Sequence, residues 1–95
     1  PVPANWKETI RSNGWSHKES EAAYELTVRT RSLRQCHNLL NAIYMTSSYF
    51  VLDHLKVSVK SNQMTISIPD SITDYEIFAS IRTMMPLFRQ YHTDW

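Results

Sequence analysis

The feature that most constrains the fold is a change in the spacing of apolar residues along the chain. Between residues 24 and 30 apolar and polar side chains alternate, which is the pattern of a strand with one buried face. From Leu33 to about Ser48 apolar residues recur at helical spacing, and this predicts a helix with one core-facing stripe. The stripe comprises Leu33, Cys36, Leu40, Ile43 and Tyr44. A chain that switches period in this way is expected to pack a helix onto a sheet.

A second alternating stretch, KVSVKSNQMTISIP, covers residues 56–69. Its apolar residues are the odd-numbered Val57 and Val59 and the even-numbered Met64, Ile66 and Ile68. They all reach one face of a sheet only if the chain shifts by one residue between the two sets. Residues 61–63 can supply this shift as a tight turn or as a bulge. The stretch therefore predicts two strands or one bent strand.

Three predicted helix starts carry the pattern of a capping box, in which a short polar residue is followed three positions later by Glu or Gln. They are Asn5 with Glu8, Ser32 with Gln35, and Thr73 with Glu76. At the third start, Ile72 and Ile77 have the spacing of a hydrophobic staple, in which two apolar residues clamp the entry of the helix. This makes the start at Thr73 the best defined helix boundary in the sequence.

The first and last helices also have predicted ends. The first is short, about residues 6–12, and stops at Gly14, because a residue without Cβ readily adopts the left-handed conformation that follows a helix. The last runs towards Met85, and Pro86 is expected to terminate or kink it because proline lacks the backbone N–H.

Composition narrows the class of protein. The 95 residues, 42% hydrophobic and 20% charged, suit one globular domain over residues 1–95. A net charge of +1 gives no bulk attraction to nucleic acid or anionic lipid. The lone Cys36 excludes an intramolecular disulfide, and no apolar run approaches the roughly 18 residues of a membrane span. We therefore expect an intracellular protein, cytoplasmic or organellar (a mitochondrial location included), that is not secreted and has no membrane span.

The order of the elements predicts an α+β fold, a two-layer sandwich with an antiparallel sheet covered on one face by helices. This order resembles that of the pterin-4a-carbinolamine dehydratase family over nearly the whole chain. NGW at residues 13–15 is similar to the family's entry into its first strand, VKSNQMTISI to its central strand, and SITDYEIFASI to its closing segment. The resemblance implies association through sheet edges and helices, and a tetrahydropterin substrate only if the activity is retained. No cofactor is expected otherwise.

The resemblance also places an active site after the second helix, where the family has a His-His-Pro run and this chain has DHLK at residues 53–56. His54 matches the first histidine, whereas Leu55 and Lys56 replace the second histidine and the proline. The central strand ends without the family's third histidine. Asp53 and Glu76 are the acidic residues near this place, although the spacing of Glu76 first indicates a capping role.

Dehydration of a carbinolamine needs one group to protonate the departing hydroxyl and another to take the ring-nitrogen proton. One imidazole cannot serve as both. We therefore interpret His54 as the remnant of a catalytic site, with Asp53 and Glu76 as the acidic groups that would support it in a divergent enzyme.

Two other patterns are candidate sites. A metal is not predicted, because Cys36 and His37 are neighbours on a helix and point about 100° apart. The cluster of Arg29, Arg31 and Arg34 at a strand-to-helix junction provides the nucleic-acid alternative. Because Glu25 shares that strand face and no aromatic platform accompanies the arginines, a solvated surface is the preferred interpretation.

Residues 86–95, PLFRQYHTDW, form an aromatic C-terminal tail. Its apolar residues Leu87, Phe88, Tyr91 and Trp95 continue at helical spacing beyond Pro86. The tail either folds back onto the core, which is the expected place of Phe88, or offers aromatic anchors to another chain. These four residues are the candidate partner-binding set.

The sequence therefore favours a non-catalytic dehydratase-like module for protein-protein interaction or assembly, as a homo-oligomer or as a subunit of a larger complex. The first alternative is a divergent dehydratase. The second is a nucleic-acid-binding domain, which the low net charge disfavours.

Overall fold

The computed structural model describes residues 2–47 and 53–92. The elements in chain order are α1 (Trp6–Ser12), β1 (Ser16–Lys18), a 3-10 turn (Glu19–Glu21), β2 (Ala23–Arg29), α2 (Leu33–Thr46), β3 (Lys56–Lys60), β4 (Gln63–Pro69) and α3 (Asp74–Tyr91). The strands form one antiparallel sheet in the order β1-β2-β4-β3. The helices cover one face of this sheet, so the predicted two-layer α+β fold is confirmed. Within the described ranges, no helix is both long and apolar enough to cross a bilayer.

The strand register confirms the predicted faces and resolves the one-residue offset between the two apolar sets. Lys60 pairs with Gln63, so the strands β3 and β4 are joined by a two-residue turn, with Ser61 at a φ of 57°. Two-residue hairpins require such positive φ values because their twist then matches that of the strands. Across the hairpin odd-numbered residues pair with even-numbered ones, and Val57 lies opposite Ile66 on the core side.

The three predicted capping boxes differ in outcome. At α3 the box is complete, since the Thr73 hydroxyl accepts from the Glu76 N–H and the Glu76 carboxylate accepts from the Thr73 N–H. At α2 the Ser32 hydroxyl accepts from the Gln35 N–H at 3.2 Å, which is one half of a box. At α1 the prediction is wrong, because Asn5 makes no side-chain cap. Its φ of −98° and ψ of 22° differ from the extended backbone that directs a capping side chain towards the helix.

The end of α1 is as predicted. Gly14 has a φ of 96°, and its N–H donates to the Arg11 carbonyl while the N–H of Trp15 donates to that of Ile10. These two bonds form a Schellman motif, which also brings buried Trp15 back onto buried Ile10. The motif turns the chain into β1, a three-residue edge strand that the alternation of residues did not reveal.

The predicted core stripe of α2 is partly wrong. Cys36, Leu39 and Ile43 are fully buried, whereas Leu33 is 50% exposed and Tyr44 is 54% exposed. The apolar residues of α2 span a wider arc than the sheet and α3 can cover, so one side of the apolar arc faces out. The helix also ends at Thr46, slightly before the predicted limit at Ser48, which lies outside the described residues.

The prediction that Pro86 ends or kinks the last helix near Met85 is corrected in extent, because α3 continues to Tyr91. Pro86 lies on the exposed side of the helix, where water can bond the carbonyl group that a proline leaves unpaired. The neighbouring residues Met84, Met85 and Phe88 are buried, and this packing holds the helix together past the proline.

Candidate functional site

The remnant site that sequence predicts lies where the segment before β3 meets the first turn of α3. His54 is half-buried and Asp53 is exposed. Among the described residues, neither side chain forms a hydrogen bond or an ion pair. His54 lies close enough to Glu76 for its charge to help lower the pKa of that carboxyl. His54 thus lies in the neighbourhood of Glu76, and among the described residues the two side chains form no hydrogen bond with each other.

Glu76 is occupied by its role at the helix start. Its Oε1 accepts hydrogen bonds from the Thr73 hydroxyl at 2.8 Å and from the Thr73 N–H at 3.2 Å. These bonds hold the pKa of Glu76 below its ordinary value of 4.5, with His54 acting in the same direction. A carboxyl with a lowered pKa is ionised at neutral pH and has no proton to donate to a leaving hydroxyl.

The three arginines of the predicted nucleic-acid site lie around the junction of β2 and α2. Arg29, Arg31 and Arg34 are all exposed. The face of β2 that carries Arg29 also carries Glu25, and the pKa of Glu25 is raised by its hydrogen bond to the Glu21 carboxyl and by burial. An open cleft of about 380 Å³ on this face includes both glutamates together with Lys56. The open sheet face is therefore of mixed charge.

Histidine and cysteine positions do not converge. In the part of the chain that the structure describes, no group of three or more His, Cys, Asp or Glu residues is placed to hold a metal ion. Cys36 is buried in the core, where its sulfur lies 3.2 Å from the Thr30 hydroxyl.

The C-terminal tail is divided between core and surface. Phe88 has no exposed surface and its ring packs against Trp15, with ring centroids 6.1 Å apart. Leu87 and Tyr91 are half-buried against the same core. Phe88 is thus a core residue, Leu87 and Tyr91 keep part of their surface exposed, and Trp95 lies outside the described residues.

A more extended apolar surface lies on α2, and sequence reasoning missed it. We define the α2 outer face as Leu33, His37, Leu40, Tyr44 and Met45. Leu33, Tyr44 and Met45 are respectively 50%, 54% and 79% exposed. Leu33, His37, Leu40 and Tyr44 follow one another at steps of four, three and four residues, so they form a continuous strip along the helix. Met45 lies about 100° round the helix from Tyr44, on the flank of this strip.

The charge content of α2 distinguishes this surface from an ordinary solvated helix face. Arg34 is the only Lys, Arg, Asp or Glu in its 14 residues, LRQCHNLLNAIYMT. Protein interfaces are depleted in charge at their centre and enriched in Tyr, Met and Arg. The sequence of α2 contains no acidic residue, and this could have indicated an uncharged surface. It was missed because Leu33 and Tyr44 were assigned to the core stripe.

Comparisons with known proteins bear on the fold. No family model matches the chain, and no curated protein matches it. Among solved structures, a transcriptional coactivator/pterin dehydratase from Brucella melitensis matches with a TM-score of 0.69 at 12% sequence identity. The match covers 92% of this chain and 96% of that chain. Likeness at this identity concerns the fold alone. The chain therefore has a pterin dehydratase-like α+β fold.

Proposed function

We propose that this chain is a non-catalytic assembly module that associates with a second copy of itself through the α2 outer face. The observation that carries the proposal is the exposure of Leu33, Tyr44 and Met45 on a helix with a single charged residue. The structural neighbour's description as a transcriptional coactivator is consistent with an interaction role for this fold.

A second copy fits this face for geometric and electrostatic reasons. Leu33 and Tyr44 lie near opposite ends of α2, so two antiparallel copies related by a two-fold axis bring Leu33 of one against Tyr44 of the other. The same arrangement places Arg34 near the carbonyl end of the facing helix, where a cation is stabilised. The net charge of +1 adds little repulsion between copies.

Sedimentation of three chains tests the proposal. We expect the unmodified chain to form a dimer or a higher oligomer, and the double variant Tyr44→Lys with Met45→Glu to be a monomer. Loss of central aromatic anchors commonly costs about 2 kcal/mol or more, which weakens association about thirtyfold. Tyr75→Lys is the control, because Tyr75 is a tyrosine of similar exposure (61%) on a different helix, α3, between Asp74 and Glu76 in the sequence. An unmodified chain that stays monomeric, or a double variant that associates normally, contradicts the proposal.

The tail residues form a second candidate contact. The sequence predicts a partner-binding set of Leu87, Phe88, Tyr91 and Trp95. Among the described residues of this set, Leu87 and Tyr91 are partly exposed to solvent. Because both also pack on the core, we give them a supporting role beside the α2 outer face.

The non-catalytic part of the proposal rests on His54 and Glu76. We expect the purified chain to accelerate carbinolamine dehydration little, because a missing general acid or base lowers a rate by roughly a hundred- to ten-thousandfold. His54→Ala should leave the rate and the affinity for pterin unchanged. A substantial rate that collapses in His54→Ala would instead establish the divergent dehydratase.

The arginine alternative has a separate test. Nucleic-acid binding through Arg29, Arg31 and Arg34 would fall steeply with salt. Because acidic Glu25 lies on the same open sheet face as Arg29 and Glu21 lines the cleft on that face, we expect no binding at physiological salt. Salt-sensitive binding that is lost in Arg31→Ala and Arg34→Ala would overturn this expectation.

A further inference from the structure

A second cleft lies on the helix side of the sheet, between α1, the edge strand β1 and the start of α3. Its volume is about 550 Å³, which falls within the usual range for small-molecule sites. Half-buried Tyr24 contributes aromatic surface to its lining, whereas Trp15 is only 1% exposed. His54 and the residues of the α2 outer face are not among those that line the cleft, so an inference about it does not depend on the proposed function.

The cleft has walls of opposite charge. Lys7 and Arg11, one helical turn apart on α1, line one side, and Asp70 and Asp74 line the other. Among the described residues, neither Lys7 nor Arg11 lies within the 4.0 Å ion-pair distance of these carboxylates. The two pairs of charges therefore remain separated across the cleft.

His17 organises the acidic wall. Its Nε2 lies 2.7 Å from Oδ2 of Asp70, and because an ionised carboxylate only accepts, the ring nitrogen donates this bond. The His17 ring also packs against the ring of Tyr24, which lies directly opposite on β2. The centroids of the two rings are 4.8 Å apart. The Asp70 N–H donates to the Ala22 carbonyl at 2.9 Å, which fixes the backbone of the same residue. Asp70 is thus held in place, and its second carboxylate oxygen is not part of the bond to His17.

We propose that this cleft binds a small zwitterion of the amino-acid class. The carboxylate of the ligand lies against Lys7 and Arg11, its ammonium group lies against Asp70 and Asp74, and its carbon chain lies along Tyr24. A purely anionic ligand meets the repulsion of the two aspartates, and a purely cationic ligand meets that of Lys7 and Arg11. A ligand with both charges satisfies both walls.

Calorimetric and NMR titrations of the full chain with three probes of similar length test the inference. The probes are ε-aminocaproate, caproate and hexylamine, which carry both charges, the anion alone and the cation alone. We expect ε-aminocaproate to bind about tenfold more tightly than either comparator at low salt, since each exposed charge pair contributes modestly. Equal binding of caproate or of hexylamine, or no binding of ε-aminocaproate, overturns the inference.

Two variants and a control locate the binding. Arg11→Gln and Asp74→Asn should each weaken ε-aminocaproate binding about fivefold while the melting temperature stays nearly the same. Arg82→Gln is the control, because Arg82 lines a different groove, between α1 and α3. Equal weakening in the control shows a non-specific charge effect and overturns the assignment to this cleft.

Discussion

The helices α2 and α3 pack against each other over the same sheet, yet their outer surfaces differ. Away from the core, α3 presents charged residues such as Asp74, Arg82 and Arg89, as expected of a helix that faces water. In contrast, α2 presents Tyr44 and Met45 and has a single charged residue. Both helices therefore bury an apolar side against the core, but only α3 has a charged outer side. The difference supports the proposal that α2, rather than α3, contacts another copy of the chain.

The largest expected effect is a difference in stability between the same substitution, leucine to alanine, on the buried side and on the outer side of α2. Leu39 is fully buried and Leu33 is 50% exposed. We expect Leu39→Ala to lower the free energy of unfolding by about 2–5 kcal/mol, because it leaves a cavity, and Leu33→Ala by about 0.5 kcal/mol or less in the monomer. Urea unfolding at low protein concentration measures both. Equal losses would show that Leu33 belongs to the core and would remove it from the α2 outer face.

A smaller effect compares the starts of α2 and α3. Thr73→Ala removes the hydroxyl from a complete capping box, whereas Ser32→Ala removes a single cap bond. Losing a cap typically costs about 1 kcal/mol, and we expect Thr73→Ala to be the more destabilising of the two. Thermal melts of both variants measure the order. Asn5→Ala is the control, since Asn5 makes no side-chain cap. A greater loss in Ser32→Ala would contradict the assigned caps.

The smallest effect concerns the pH dependence of α3. The hydrogen bonds from Thr73 lower the pKa of Glu76 in the folded chain, so its carboxylate stabilises the fold above the ordinary value of 4.5. This contribution is lost as the pH falls through the lowered pKa. We therefore expect the difference in melting temperature between the unmodified chain and Glu76→Gln to shrink as the solution is acidified below 4.5. A difference that grows on acidification would contradict the direction of this pKa shift.

Much of the fold could be predicted from local patterns. The alternation in residues 24–30 and 56–69 predicted the core faces of β2, β3 and β4, because side-chain direction in a strand repeats every two residues. Gly14 and the Thr73 capping box marked helix boundaries through interactions between near neighbours. The start of α1 was predicted from spacing alone, and the actual backbone angles of Asn5 did not allow the cap.

The candidate surfaces were less predictable because they depend on contacts between distant residues. The hydrogen bond between His17 and Asp70 joins residues 53 positions apart, and no local pattern reveals it. Similarly, helical spacing grouped Leu33 and Tyr44 with the core, since the width of the covered arc depends on how α3 and the sheet lie around α2. The helix after Pro86 was extended by the burial of Phe88, which packs against Trp15.

Oxidation of Met45 tests most directly whether another copy covers the α2 outer face. In the single chain Met45 is 79% exposed, whereas Met84 and Met85 are buried and serve as internal controls. Dilute hydrogen peroxide, followed by mass spectrometry of peptides, measures the oxidation rate of each methionine over a series of protein concentrations. We predict that Met45 reacts fast in dilute solution and becomes protected as the chain associates, while Met84 and Met85 react slowly throughout. An oxidation rate of Met45 that stays high at concentrations where the chain is oligomeric would contradict the account.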